Sequence, residues 1–278
     1  FAPMIDVARD PRWGRIVETA GEDPLVNAEF GRARVRGYQA PDAQGRMRLA
    51  ACAKHFCAYG AVLAGRDYAE ADISWRALEE IYLPPFRACV DEGVAAIMPA
   101  FIDVAGMAMT AHKRLLRDML RARWRFDGLI VSDYNAIAEL INHGIAADLA
   151  EAAALALNAG VDIDMMSDAY FNGLPIALER GLVTMIEIDM AVRRVLNFKE
   201  QLGLFDDPYR NMAPEPAKTE TSKPETTKTL APERRALSRQ AAQSSIVLLK
   251  NADGLLPLKA PRILAVLGPL ADAPNDQL

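Results

Sequence analysis

The chain has 278 residues, 51% of them hydrophobic and 25% charged, with a formal net charge of −5. That composition fits a globular core of one large domain or two smaller ones, and its mild acidity argues against a nucleic-acid partner, which normally meets a basic face. No run of about 18 apolar residues occurs, so no membrane-spanning helix is expected; Cys52, Cys57 and Cys89 lack metal-ligand spacing and are too few for a disulfide framework.

The first apolar run is Phe1 to Val7, with no signal-peptide pattern in it. Asp23 followed by Pro24 predicts a helix start, with an N-cap and a proline at the first helical position. A second apolar run, Leu49 to Ala53, precedes a segment that Ser74 can cap and that Pro84 and Pro85 should kink or split. Val94 to Met98 is the third run. A helix over Lys113 to Arg123 follows, with Leu115, Leu116, Met119 and Leu120 on one face. Gly128 to Ser132 is the fourth run. Asp148 to Asn158 reads as an alanine-rich helix stopped by Gly160. Val161 to Met165 is the fifth run, and Thr184 with Glu187 predicts a capping box before a long helix ending near Gly203.

Short, continuous apolar runs suit parallel strands buried on both faces. Their alternation with helices predicts right-handed βαβ units, hence an α/β fold. A closed (β/α)8 barrel needs eight strands and about 250 residues. Five strands within residues 1–210 therefore imply either an open sheet or an incomplete TIM-like barrel. Residues 211–231, with Pro214, Pro216 and Pro224 among Thr, Lys, Glu and Ser, read as a linker. Residues 232–278 read as the start of a second α/β domain, with a helix from Pro232 to Lys250 and a strand from Arg262 to Leu267.

In such barrels chemistry gathers where strands end. The fourth run, GLIVSD, ends in Asp133, which by itself reads as well as an N-cap as an active-site acid. The second run leads into Lys54 and His55, and the third into Phe101. The loop after the first run holds Asp6, Arg9, Asp10, Arg12, Trp13 and Arg15, whose arginines by themselves suggest surface ion pairs. Taken together, cationic and imidazole donors around one acid suit a ligand dense in hydroxyls. No phosphate-binding glycine loop, metal-binding HExxH or GxSxG elbow is present, and neither metal nor cofactor is expected.

The segments FAPMIDVARDPRWGR, GEDP, KHFCAYGA, IYLPPF, GLIVSDYNAI, HGIAADLAEAAALALNAGVDIDM and LGLFDDPYR closely resemble glycoside hydrolase family 3, with bacterial periplasmic β-glucosidases the nearest likeness. SSIVLLKN, followed by LPL, extends the resemblance past the linker. It implies a (β/α)8-like barrel, a linker and an α/β sandwich domain. Asp133 matches the nucleophile of a retaining, exo-acting enzyme that releases terminal β-D-glucose from β-glucosides or oligosaccharides. Lys54 and His55 match a pair that holds sugar hydroxyls in the −1 subsite, Arg15 and Arg66 match further sugar-binding arginines, and Tyr134 matches part of an aromatic wall at +1. Phe101 stands where some relatives have a tyrosine that hydrogen-bonds the nucleophile. The resemblance also implies a −1 aspartate upstream of Phe1 and a general acid/base glutamate beyond Leu278, so these residues alone are expected to be inactive. A periplasmic or secreted location follows from the same likeness, and a homodimer stays open.

Four other readings compete. A β-xylosidase of the same family is the nearest rival. A β-N-acetylhexosaminidase is disfavoured, because Tyr59 and Gly60 occupy the neighbourhood of that branch's second histidine and no histidine lies between His55 and His112. A non-catalytic sugar-binding relic, or an aldolase using Lys54 as a Schiff base, lies outside the class.

Overall fold

The computed structural model describes residues 1–42, 45–209, 232–259 and 263–272. The chain divides into two compact units, Phe1–Ala213 and Pro214–Leu278.

In the first unit all five apolar runs lie side by side, in chain order and parallel. Strands β1 (Cys52–Phe56) and β2 (Ala96–Pro99) pair with Cys52 opposite Ala96 and Lys54 opposite Met98. Two further strands, β3 (Asp103–Val104) and β4 (Met107–Ala108), form a small antiparallel hairpin. Strand β5 (Leu129–Ile130) pairs with β2, Ala96 opposite Leu129. The first run joins the outer side of β1 through a parallel bridge from Met4 to Lys54, and the fifth joins beyond β5 through a bridge from Val131 to Ile163.

The helices form where their caps predict. Helix α1 (Pro24–Gln39) starts on Asp23, whose carboxylate accepts from the amides of Leu25 and Val26. Ser74 caps α2 (Trp75–Ala77), which continues as a wider turn over Leu78–Tyr82 before the prolines begin α3 (Pro84–Asp91). The segment Arg114–Arg123 is wound as a π-helix and buries Leu115, Leu116, Met119 and Leu120. After α4 (Glu139–Asn142), Asp148 caps α5 (Leu149–Ala159), which ends at Gly160 with φ +106°. Helix α6 (Ala169–Glu179) packs on α5 so closely that a Cβ on Gly173 would stand 2.5 Å from the Leu149 carbonyl. The complete Thr184–Glu187 capping box opens α7 (Met185–Gln201).

One face of the sheet, carrying Ala53, Ile97 and Ile130, joins the main core. The other, carrying Cys52, Ala96, Met98, Leu129 and Val131, is covered in part by Val195 and Phe198 of α7. Cys52, Cys57 and Cys89 are free and buried, and burial pushes the Cys52 and Cys89 thiols up to about 12. Among the described residues no helix is long and apolar enough to cross a membrane.

In the second unit, α8 spans Pro232–Ser245. Three expectations need correction here and at β1. The helix expected from Pro232 to Lys250 ends at Ser245, with residues 246–250 outside it. The strand expected from Arg262 to Leu267 does not form over its described part: among the described residues, 263–267 pair with no strand, and Ile263 and Leu267 are 91% and 88% exposed. An apolar run without a partner ladder leaves its amides to water. Arg262 and residues 211–231, the expected linker, lie outside the described residues. The second run becomes a strand three residues later than expected, because Leu49 is exposed while Lys54 and His55 continue the ladder.

At the amino ends of the strands, Asp162 is buried between two arginines. It accepts from Arg194 at 2.8 Å, from the Ile130 amide at 2.8 Å, and from Arg121. Burial raises the Asp162 carboxyl and lowers the Arg121 guanidinium, so both depend on the pairing to stay ionised. Asp162→Ala leaves Arg121 buried without its counter-charge and is expected to cost about 3–5 kcal/mol. Urea unfolding checks this; a loss below roughly 1 kcal/mol would show that the ion cluster contributes only what a surface pair does.

Candidate active site

Parallel pairing in register brings the carboxyl ends of the runs to one edge. Lys54 pairs with Met4 on one side and Met98 on the other, so the residues just beyond each emerge together: Asp6, His55, Phe101 and, on β5, Asp133. Alternation puts Asp133 on the same face as Leu129 and Val131. A bulge between Lys54 and Phe56 inserts His55 out of register and re-aims its ring.

Asp133 is 8% exposed. Its Oδ1 accepts the Tyr134 amide at 2.7 Å, while its buried Oδ2 has no hydrogen-bond partner. The N-cap reading of Asp133 fails, since the next helix, α4, begins only at Glu139. Ser132 pins the strand end, donating to the Asp133 carbonyl at 3.0 Å and accepting from the Met165 amide at 2.8 Å. His55 Nε2 lies 3.6 Å from Asp133 Oδ2 and 3.3 Å from Arg15 NH1. On the other side of the ring, Nδ1 lies 2.8 Å from Asp6 Oδ2, which also accepts the His55 amide at 3.2 Å.

Arg15 is held by a fork. Its Nε and NH2 donate to the two oxygens of Glu18 at 2.7 and 2.9 Å, leaving NH1 for His55. This pairing raises the Arg15 guanidinium and lowers the Glu18 carboxyl, with smaller help for the latter from His55 and Lys54. Tyr59 is the apolar hub. Its ring meets His55 edge-on at 5.1 Å, Trp13 at 5.3 Å and Phe101 at 6.4 Å, with the Arg15 guanidinium 5.5 Å from its centroid. Burial and a hydrogen bond with Asp67 push its phenol upward. Tyr59 keeps this place because Gly60 lies against Val7; a Cβ there would stand 2.2 Å from the Val7 carbonyl. Tyr68 extends the aromatic edge, 4.7 Å from Phe101.

Of the expected residues, Arg15, His55 and Asp133 meet directly, and Phe101 joins through the aromatic cluster. Lys54 is half-buried beside them and acts on Glu18 through its charge. Tyr134 is 60% exposed and contributes its amide. Arg66 is exposed on the turn after Leu63, with no side-chain hydrogen bond or ion pair to the cluster. Arg12 forms the expected surface pair, with Asp10 at 2.7 Å, outside the site. Asp6, Glu18, Tyr59, Asp67 and Tyr68 were not expected in these roles. The signal for Asp6 was present: FAPMID ends an apolar run in an aspartate as GLIVSD does. Among the described residues no group of three His, Cys, Asp or Glu side chains is placed to hold a metal. A cleft of about 440 Å³ lies at the opposite, amino ends of the strands, lined by Arg121, Arg194 and Phe198 of the structural ion cluster and its surroundings.

Comparison with known proteins identifies the family. Residues 1–198 match the model of the glycosyl hydrolase family 3 N-terminal domain, a TIM-barrel-like fold. A periplasmic β-glucosidase of Salmonella typhimurium is 43% identical over 276 residues, 99% of this chain and 35% of that protein. Beta-D-xylosidase 1 of Arabidopsis thaliana is 36% identical over 284 residues, 98% of this chain and 35% of the relative. The crystal structure of a β-glucosidase from Listeria innocua in complex with glucose superposes with a TM-score of 0.84 at 43% identity, over 93% of this chain and 35% of that one. The chain thus spans about a third of the length of these relatives. It belongs to glycosyl hydrolase family 3, with residues 1–198 in that family's N-terminal domain.

Proposed function

We propose that the chain is the nucleophile-bearing part of a retaining, exo-acting β-glucosidase, with Asp133 as nucleophile. The observation that carries this reading is Asp133 Oδ2: a buried carboxylate oxygen at a strand's carboxyl end, unpartnered, beside His55 and Arg15. Asp6 Oδ1 is also buried without a partner, so what sets Asp133 Oδ2 apart is its place at the strand end beside His55 and Arg15; a nucleophile needs one lone pair free.

In the first step Asp133 Oδ2 attacks the anomeric carbon of the terminal glucose. The bond to the leaving oxygen breaks, and that oxygen takes a proton from a general acid. In the second step water, deprotonated by the same group, attacks the anomeric carbon and releases Asp133, so two inversions give net retention. Retention places the second carboxyl about 5–5.5 Å from the nucleophile. The family resemblance assigns it to a glutamate outside these 278 residues, and the 35% share of the relatives' length is consistent with that. Arg15, Lys54 and His55 would hold sugar hydroxyls, with Arg66 and Tyr134 reaching in from the exposed rim. The Tyr59, Phe101 and Tyr68 rings offer an apolar edge to the sugar's C–H face. The likeness to a periplasmic enzyme supports a periplasmic or secreted location for the whole protein.

A dinitrophenyl leaving group needs no general acid, so the chain itself can be tested with 2,4-dinitrophenyl 2-deoxy-2-fluoro-β-D-glucoside. The expected result is one fluoroglucosyl adduct on the peptide holding Asp133, seen by mass spectrometry, and none in Asp133→Ala with its fold retained by circular dichroism. An adduct on another residue, or equal labelling of Asp133→Ala, removes Asp133 from the mechanism.

A β-xylosidase is the second reading, favoured by relatives such as the Arabidopsis enzyme. The glucoside and xyloside probes differ by one hydroxymethyl group. Labelling of the chain is expected to be faster with the fluoroglucoside by roughly tenfold or more. The reverse order would make the chain a xylosidase.

A further inference from the structure

The imidazole of His55 has two nitrogens with opposite neighbours, and those neighbours dictate where its proton resides. Nδ1 faces Asp6 Oδ2 at 2.8 Å, and an ionised carboxylate only accepts hydrogen bonds. Nε2 faces Arg15 NH1 at 3.3 Å, and a guanidinium only donates. Both contacts are satisfied together by one arrangement: a neutral ring protonated on Nδ1, with a lone pair on Nε2. The ring is 1% exposed and cannot turn without losing both contacts and its edge-on seat on Tyr59.

This arrangement matters for Asp133. Its Oδ2 lies 3.6 Å from Nε2 and has no partner. A proton on Nε2 would put a donor 3.6 Å from Oδ2, where it competes for the lone pair required for attack. A lone pair on Nε2, facing Arg15 NH1, leaves Oδ2 bare. Asp6 is itself 1% exposed and grips the residue twice, at the ring and at the His55 backbone amide, at 2.8 and 3.2 Å.

We propose that Asp6 is a positioning residue, which holds His55 in the Nδ1–H form and thereby keeps the Asp133 nucleophile unprotonated by its neighbour and free to attack. The role in catalysis rests on Asp133 being the nucleophile; the tautomer assignment does not. Orienting carboxylates behind functional histidines act in this manner in hydrolase triads and metal sites.

The chain has three histidines, His55, His112 and His143, so ring-nitrogen NMR of the 15N-labelled chain resolves each tautomer, with His55 assigned by the loss of its signals in His55→Gln. The expected wild-type result is a protonated Nδ1 and a bare Nε2 on His55; a protonated Nε2 overturns the proposal without any variant at Asp6. Asp6→Ala is expected to move the proton partly to Nε2 and to slow Asp133 labelling by the dinitrophenyl fluoroglucoside by about 10- to 100-fold. The maximal labelling rate should fall while the probe concentration giving half that rate changes little, because the step affected is attack, not binding. Asp6→Asn keeps the size of the side chain but can present its NH2 to Nδ1, so it is expected to move the proton to Nε2 and to slow labelling as well. Wild-type labelling in Asp6→Ala with an unchanged tautomer also overturns the proposal. If Asp6→Ala does not fold, the wild-type tautomer and Asp6→Asn decide. Failure of the wild-type chain to label at Asp133 counts against the nucleophile reading alone, since the NMR result is independent of it.

Discussion

A buried carboxylate is stable only when its surroundings answer its charge, and this sheet buries three: Asp6, Asp133 and Asp162, at 1%, 8% and 6% exposure. The three are answered to different degrees. Asp162, at the amino ends, has two arginines and a backbone amide and ties α7 and the Arg114–Arg123 helix to β5. Asp6, at the carboxyl ends, has the ring and amide of one histidine. Asp133 has one amide on Oδ1 and nothing on Oδ2. Asp6 Oδ1 is unpartnered as well, so the amino ends hold the carboxylate with the fullest set of partners and the carboxyl ends hold two that are only partly answered.

The positive groups near Asp133 are similarly restrained. Arg15 is not free to collapse onto Asp133, because Glu18 occupies two of its donors in a planar fork and Tyr59 supports its face. What reaches inward is a single NH1 aimed at His55. The site thus keeps a cation near the carboxylate without a direct ion pair that would quench it. Such preorganisation lowers reorganisation during reaction, and here it follows from one short turn, Trp13 to Glu18, that places arginine and glutamate three residues apart.

Much of this was legible in the residues. The five apolar runs lie parallel and in order, because short branched stretches between capped helices have few other ways to bury both faces. Asp23, Ser74, Asp148 and Thr184 cap as their side chains predict, since capping is local chemistry. Asp133, His55 and Arg15 meet because they follow strand ends. What escaped notice was non-local or disguised. The hairpin at residues 103–108 turns through Ala105 and Gly106 with φ of +51° and +77°, and an alanine gives no hint of a left-handed turn. Helix α6 carries Pro175 inside it and leaves Phe171 81% exposed, so neither propensity nor periodicity marks it; its stability comes from contact with α5. The bulge at His55 depends on β2 as well as β1 and is invisible along one strand. Arg66 matched by motif, yet its loop leaves it exposed at the rim.

Phe101 gives the Asp6–His55 pair its weight. The family resemblance puts a tyrosine at this position in some relatives, with a hydroxyl on the nucleophile. A phenylalanine has no such donor, and its ring instead stacks on Tyr68 and leans on Tyr59. With that hydroxyl gone, the polar side-chain atom that the structure places beside Asp133 Oδ2 is His55 Nε2. On the proposal made above, the environment of Oδ2 rests on one imidazole whose proton is held by Asp6. Phe101 on the loop after β2 and Asp6 in the first run thus belong to one electrostatic arrangement around Asp133.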